Sequence, residues 1–526
     1  MERDSCVDGA EYSLFPTPRR SHGASVGGTM HEVPMNNRPA AETRTFSSDV
    51  VWVTLATGLN YFLIGVVALP VITKTYSTEI YGVWVQASLT STLLAPVLSL
   101  QFGAAIVRFL SGEDDIQKRR QALGAMLWPV IVLAIVAVAV LVPLSKYVSS
   151  VLFASSDYAL FVPLATLWAI TGGLFGILIC YLQARRRMMR LAAIQILLAL
   201  AQMALIFALT GGGYDLQAVI TALVAVDAFV MALTLGMIIR EIGWPKPSCA
   251  GLSTYLAFCL PLIPGVTFLW IINASDRFFI AHYISLSEAG IYSASYTLGS
   301  LLTFLFNPIS FVLFPVLSSY WEQKQLNKVR NYLEYSTKVF LLLAIPAALG
   351  LYVLSQPLLR VLSTSEYAVG GALVVTVASG YVFYGIYSLN VYTVLLAKQS
   401  KWLPLIIGVA AAVNTGLNIA LIPRTGAMGA AVATTVSYFV LAAIVTIWSR
   451  RAVGYRLDYL FLLKVAVAAA VMTICIRLIP VSGVLGIALV VILGLALYAV
   501  GLLALRAFSK DEWLLIRDVL GIKAKT

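Results

Sequence analysis

Charge is the scarcest property of this sequence. Asp, Glu, Lys and Arg make up 11% of its 526 residues while 60% are hydrophobic, whereas a soluble chain carries roughly a quarter of its residues as those four types. A water-soluble globular fold is thereby excluded, and the chain reads as a polytopic membrane protein. Histidine is nearly as sparse: His22 and His31 fall in an N-terminal tail, which leaves His282 alone. There is no HExxH, no P-loop lysine motif and no paired-carboxylate loop, so zinc hydrolysis and direct ATP coupling lack the residues they need. The five cysteines (Cys6, Cys180, Cys249, Cys259 and Cys475) are widely scattered. That scatter gives neither a disulfide framework nor a metal spacing, and no metal and no cofactor are expected.

Alternation is missing too. A membrane barrel needs ten-residue segments that alternate apolar and polar, and stretches such as "VIVLAIVAVAVLV" (130–142) do not alternate. The fold class is all-α. A helix crosses the hydrocarbon with about 20 apolar residues and pairs its own backbone. With that ruler the chain holds about fourteen spans, near 50–72, 80–104, 121–143, 159–182, 191–211, 217–239, 253–274, 288–315, 335–356, 370–395, 403–422, 427–448, 459–480 and 483–505.

The net charge of +12 is topological. With the N-terminus cytoplasmic, one set of loops carries Lys118, Arg119, Arg120, Arg185, Arg186, Arg187, Arg190, Lys324, Lys328, Arg330, Arg450 and Arg451. The opposite loops carry only Lys74, Lys146, Arg277, Arg360, Arg424 and Arg477. This asymmetry is the positive-inside pattern. It places both termini in the cytoplasm and removes the case for a nucleic-acid partner.

The second half of the chain echoes the first. "ARRRMM" (184–189) corresponds to "AKQSKW" (397–402), "LIFAL" (205–209) to "LNIAL" (417–421), and "LQAVITALV" (216–224) to "MGAAVATTV" (428–436). Earlier, "YGVWVQAS" (81–88) corresponds to "AGIYSASY" (289–296). The offsets run from 208 to 213 residues. Two parallel six-helix repeats follow, at 47–245 and 250–452. Around them are placed a disordered cytoplasmic tail at 1–46, two additional transmembrane helices at 457–507 and a second cytoplasmic tail at 508–526. Parallel repeats of this kind put a transporter's substrate site between the halves.

"SDRFFIAHYISLSEAGIYSASYTLGSLL" (275–302), "NTGLNIALIPRTGAMGAAVATTVSY" (414–438) and "LPVITKTYSTEIYGVWVQA" (69–87) resemble the polysaccharide-transport branch of the multidrug/oligosaccharidyl-lipid/polysaccharide exporter superfamily. The likeness runs from about residue 48 to 450 in matching order. It implies a flippase, not an enzyme, that moves an undecaprenyl-pyrophosphate-linked oligosaccharide across the bacterial plasma (inner) membrane for surface polysaccharide biosynthesis. The implied partners are that lipid-linked oligosaccharide, membrane lipid, and a polysaccharide polymerase with other assembly proteins.

Such a substrate needs a polar cavity with cations for phosphate, and intramembrane charges are candidates because each costs roughly 2.5–3.5 kcal/mol on insertion scales. Asp227, in "VAVDAFVMA", is read as an ion-coupling carboxylate or, alternatively, a hydrogen-bonded packing group. Arg108 lies at the cytoplasmic end of the second span and either loads pyrophosphate or snorkels to the interface. Asp276 and Arg277 are placed at the outer end of the seventh span, as a gate or as interfacial anchors. Being adjacent on a helix they point about 100° apart, and they are not expected to pair with each other. Asn60, Asn307 and Asn390 are further substrate-binding or gating candidates. Pro70, Pro96, Pro264 and Pro308 are read as hinges, since proline removes a helix hydrogen bond.

Two rivals stand beside this reading. An ion-coupled multidrug or metabolite antiporter favours an acid deep in the first span, and residues 50–73 contain no Asp or Glu. A membrane polysaccharide polymerase or glycosyltransferase needs a sizeable outer loop, and none much exceeds about fifteen residues. The charge asymmetry makes a testable prediction. Green fluorescent protein fused after Thr526 is expected to fluoresce, and alkaline phosphatase fused at the same point to stay inactive; the reverse result would invert the orientation.

Overall fold

The computed structural model describes Trp52, Ala56 and residues 58–508 except 482; the tail expectations for 1–46 and beyond 508 lie outside the described residues. The first span is a π-helical stretch, Tyr61–Val67, running into α1 (Ala68–Thr75). There follow α2 (Thr78–Leu98), α3 (Phe102–Leu110), α4 (Ile116–Leu141), the short α5 (Ser145–Leu152), α6 (Phe161–Ala184), α7 (Met188–Gly211) and α8 (Leu216–Ile242). After residue 250 come α9 (Leu252–Cys259), α10 (Leu262–Tyr283), α11 (Leu286–Ser300), α12 (Thr303–Glu322) and α13 (Leu326–Leu362). The last are α14 (Gly371–Leu396), α15 (Leu403–Thr425), α16 (Ala427–Val453), α17 (Tyr459–Arg477) and α18 (Gly483–Ala504). Among the described residues, thirteen helices are long and apolar enough to cross a membrane, or fourteen when α2 and α3 count as one bent span. The all-helical, multi-pass reading is correct.

Local chemistry sets the ends. Asp115, Asp215, Ser285 and Asp458 each accept a backbone N–H of the first turn that follows, which satisfies donors a helix start leaves orphaned. The Phe461 N–H, with Lys338 3.4 Å away, holds the Asp458 carboxyl below its usual range. The eighth and ninth spans are longer than their apolar cores. They were placed at 288–315 and 335–356, whereas α11 and α12 run from Leu286 to Glu322 and α13 from Leu326 to Leu362. Hydropathy marks the lipid-facing stretch and misses the amphipathic turns that continue beyond it.

Broken helices are confined to a few places. Behind Pro96, Leu100 and Gln101 take left-handed conformations (φ 52° and 56°), and α3 bends 47° from α2. Pro70 follows the π-helical turn directly, where one wide turn already loosens the hydrogen-bond ladder. The other two prolines do not sit at breaks. Pro264 falls in the first turn of α10, where its missing N–H costs nothing; the break lies before it, at Leu260 and Pro261. Pro308 is inside unbroken α12, and the eighth span breaks at Leu301 and Leu302.

The helices before residue 245 meet those after 250 mainly where α2 crosses α11. A Cβ on Gly82 would lie 2.1 Å from the Leu286 carbonyl oxygen, and one on Gly290 would lie 2.5 Å from the Thr78 carbonyl oxygen. Both pairs are related by the 208-residue repeat offset. The crossing is therefore reciprocal: equivalent glycines on equivalent helices each admit the other's backbone. Thr78 and Ser287 hydroxyls lie 2.7 Å apart beside it, the Tyr81 and Tyr367 rings meet edge-on, and Lys74 reaches the Val361 carbonyl at 2.7 Å. This end is opposite the one that carries the Lys- and Arg-rich loops. At the basic end, Arg119 and Arg187 converge on Glu241 at 3.3 and 2.6 Å.

The Thr78→Cys/Ser287→Cys variant is expected to form a disulfide on mild oxidation. Adding Gly82→Leu should abolish it, because a side chain there forces the backbones apart; mass spectrometry of linked peptides measures both.

Candidate central cavity

Between α1, α2, α6, α7 and α8 on one side and α10 and α11 on the other lies a cavity of about 520 Å³. Its lining is unusual for a membrane interior. Hydroxyls come from Ser88, Ser91, Thr92, Ser293 and Thr297, an amide from Gln202, rings from Tyr81, Trp84 and Trp168, and one cation from Arg277. A smaller cavity of about 240 Å³ shares Gly65 and Thr297 with it and adds Asn273, Ser300, Thr303, Asn307, Tyr381 and Tyr384. Helical spacing explains the grouping: Ser88, Ser91, Thr92 and Ala95 recur at three and four residues and share one face of α2.

Arg277 reaches the cavity from a fully built network. Asp276 is completely buried and Arg277 is 5% exposed. One Asp276 oxygen, Oδ1, accepts from Arg277 Nη1 at 2.6 Å and from the Arg277 backbone N–H at 3.0 Å; the other, Oδ2, accepts from the Tyr292 hydroxyl at 2.5 Å and the Thr434 hydroxyl at 3.3 Å. The guanidinium also donates to the Asn273 carbonyl and lies over the rings of Tyr296 at 3.7 Å and Tyr292 at 5.0 Å. Gln86 Nε2, from α2, donates to the Arg277 carbonyl at 3.0 Å. Farther out, Tyr438 donates to Asn273 Oδ1, and Tyr296 bonds Tyr438 and Tyr381. Buried opposite charges hold when their remaining donors and acceptors are satisfied; both Asp276 oxygens are, and Arg277 Nη1 donates to Asp276 and to the Asn273 carbonyl.

This arrangement corrects two expectations. Asp276 and Arg277 are not exposed at the end of the seventh span; they are buried about two turns, or about 10 Å, before the end of α10. They do pair with each other. Their Cβ atoms diverge as adjacent helical positions must, but the arginine is long enough to fold back, with its guanidinium over the Tyr296 and Tyr292 rings. Sequence reasoning also missed Trp84 and Trp168. Tryptophan collects at membrane interfaces, so no pattern marks a mid-helix tryptophan as facing a cavity.

The other candidates are dispersed. Asp227 on α8 is 7% exposed; its carboxylate accepts from Gln202 Nε2 at 2.7 Å and Trp168 Nε1 at 3.0 Å. Asn307 is an exposed residue of the smaller cavity, and Asn60 is half-buried ahead of the π-helical turn. Arg108 is exposed at the end of α3, its guanidinium 4.5 Å from the Phe258 ring, and does not line the cavity. Asn390 is fully buried in α14, donates to the Ile386 carbonyl at 3.0 Å and lies next to Ser449 of α16, a helix-packing environment.

Residues 113–370 match the family described as polysaccharide biosynthesis protein. Among curated proteins, the chain is 30% identical over 224 residues to a probable flippase, AglR, and 22% identical over 312 residues to a probable low-salt glycan biosynthesis flippase, Agl15, both of Haloferax volcanii. Those matches cover 41% and 57% of this chain and span 47% and 64% of the relatives' lengths. Among solved structures, the lipid II flippase MurJ in an inward closed conformation superposes with a TM-score of 0.74 at 15% identity, covering 89% of this chain and 100% of that one. An inward-facing multidrug resistance MATE transporter of the MOP superfamily follows at 0.62 and 12% identity, covering 76% and 94%. At such identities the structural likeness shows the fold alone.

Removing one member of the buried pair leaves the other uncompensated. Arg277→Ala is expected to destabilise the protein by ~3–5 kcal/mol, and Asp276→Asn/Arg277→Gln, which removes both charges, by clearly less. Thermal denaturation in detergent measures the order.

Proposed function

We propose that this relative of the polysaccharide-transport branch of the multidrug/oligosaccharidyl-lipid/polysaccharide exporters is a flippase for a polyprenyl-diphosphate-linked oligosaccharide. The observation that carries the reading is the central cavity, where hydroxyls and aromatic rings surround a single well-anchored arginine inside an apolar chain. A sugar headgroup needs the hydroxyls and rings, and a diphosphate needs the cation. In this reading Arg277 binds phosphate, and Asp276, Tyr292 and Tyr296 keep its guanidinium aimed at the cavity. The family match and the two flippase-named relatives support the class of substrate.

Alternating access would rock the 47–245 and 250–452 halves about the α2 and α11 crossing, opening and closing the end of the molecule at which it lies. Pro96 with its 47° break and Pro70 with its π-helical neighbour supply the bending points. Asn307 and Asn60 would meet the headgroup in passing, and Arg108 would load it at the cytoplasmic surface. The finer assignment takes undecaprenyl as the carrier and the bacterial inner membrane as the site, and puts both termini in the cytoplasm, the last supported by the positive-inside asymmetry. A polysaccharide polymerase would take the product on the far side.

Reconstitution tests the whole reading. Proteoliposomes given fluorescent undecaprenyl-diphosphate oligosaccharide are expected to move it between leaflets. Arg277→Ala, checked for folding, should slow transfer by about tenfold or more, as for loss of a charge-assisted bond. Efflux of cationic dyes without lipid transfer would reassign the protein to drug antiport.

A further inference from the structure

Asp227 is a buried carboxylate held by two neutral donors, and phosphate binding gives it no role. Its two partners explain it better than its charge does. Trp168 and Gln202 both line the central cavity, and each donates a side-chain N–H to Asp227, at 3.0 and 2.7 Å. Trp168 also faces Trp84, another cavity residue, with ring centroids 5.8 Å apart and planes inclined at 57°. One buried carboxylate on α8 thus fixes a ring on α6 and an amide on α7.

We propose that Trp84, Trp168 and Gln202 form a pyranose-binding subsite, with Asp227 as its positioning residue. The chemistry is that of a sugar: the carbon-hydrogen face of a pyranose packs on an aromatic ring, while its equatorial hydroxyls need fixed polar partners. With Nε2 committed to Asp227, the Gln202 amide presents Oε1 to a ligand hydroxyl, and Ser88 and Thr92 add hydroxyls on the adjoining wall. The inclined rings make a cleft rather than a flat platform. Arg277 lines the same cavity from α10, so the sugar would rest against the first half of the chain while its phosphates meet the second. A carboxylate held by two neutral N–H donors is suited to orienting those donors, since it pulls both into one geometry. The inference rests on the flippase reading and names which part of the substrate the first half recognises.

The test is leaflet transfer of fluorescent undecaprenyl-diphosphate oligosaccharide in proteoliposomes, measured against lipid concentration. Trp84→Leu and Trp168→Leu are expected to raise the half-saturating concentration about 5- to 10-fold with little change in maximal rate. Trp168→Phe, which keeps a ring and loses the bond to Asp227, and Asp227→Asn should fall between these and the wild type. If the leucine variants denature, Trp168→Phe and Asp227→Asn carry the test. Wild-type protein that transfers no lipid-linked oligosaccharide overturns the flippase reading and this one with it. Transfer that proceeds with unchanged half-saturation in all four variants overturns the subsite alone. Asp227→Asn that keeps its half-saturation but loses dependence on pH or an ion gradient overturns the positioning role and assigns the carboxylate to coupling.

Discussion

In hydrocarbon every polar group must find its partner inside the protein, and each notable feature here is an answer to that demand. The backbone meets it with helices. Where a helix breaks, substitutes appear: behind Pro96, the Gln101 carbonyl accepts from the Cys259 thiol of α9 and the Ala104 N–H. The same demand shapes the charged groups. Asp276 collects four donors, and Asp227 collects two from different helices. Because these partners come from separate helices, satisfying the charges also fixes how the helices sit.

That coupling joins fold to function. Gln86 on α2 bonds the Arg277 carbonyl on α10, close to where α2 and α11 cross. A cation facing the cavity, the network that holds it and the contact between the two halves of the chain thus share one region. Small residues make the contact possible: Gly82 and Gly290 let two backbones touch, while hydroxyls and a lysine-to-carbonyl bond line its edge. Short polar bonds lie beside buried apolar residues from both halves there, Ile72, Tyr81 and Val85 packing in one cluster with Ala294, Leu298 and Tyr367.

The fold was legible because its causes are local. Span length, the absence of alternation and the loop charges follow from composition along the chain, and the helices fall where an apolar run can pair its own backbone. One echo in the sequence has a counterpart in space: "YGVWVQAS" and "AGIYSASY" each keep a glycine, and Gly82 and Gly290 both lie where α2 and α11 touch. The candidate site was legible only in part. Arg277 and Asp227 stood out as expensive charges, whereas Arg108 and Asn390 were equally conspicuous and lie away from the cavity. Trp84 and Trp168 carried no signal, since a large apolar ring inside an apolar helix is ordinary.

By itself the sequence determined a multi-pass helical protein, the asymmetry of its loop charges and a short roster of costly groups, because hydrophobic length and charge are summed along a single segment. Only the tertiary structure decided what those groups do. It turned Asp276 and Arg277 from surface anchors into a buried pair and brought Asp227 behind a tryptophan and a glutamine from two other helices. It also divided the polar residues between cavity wall and helix packing. The physical reason is that a helix presents its side chains on all sides, and which side meets lipid, protein or cavity is set by neighbours that lie 16 residues away along the chain in one case and 287 in another.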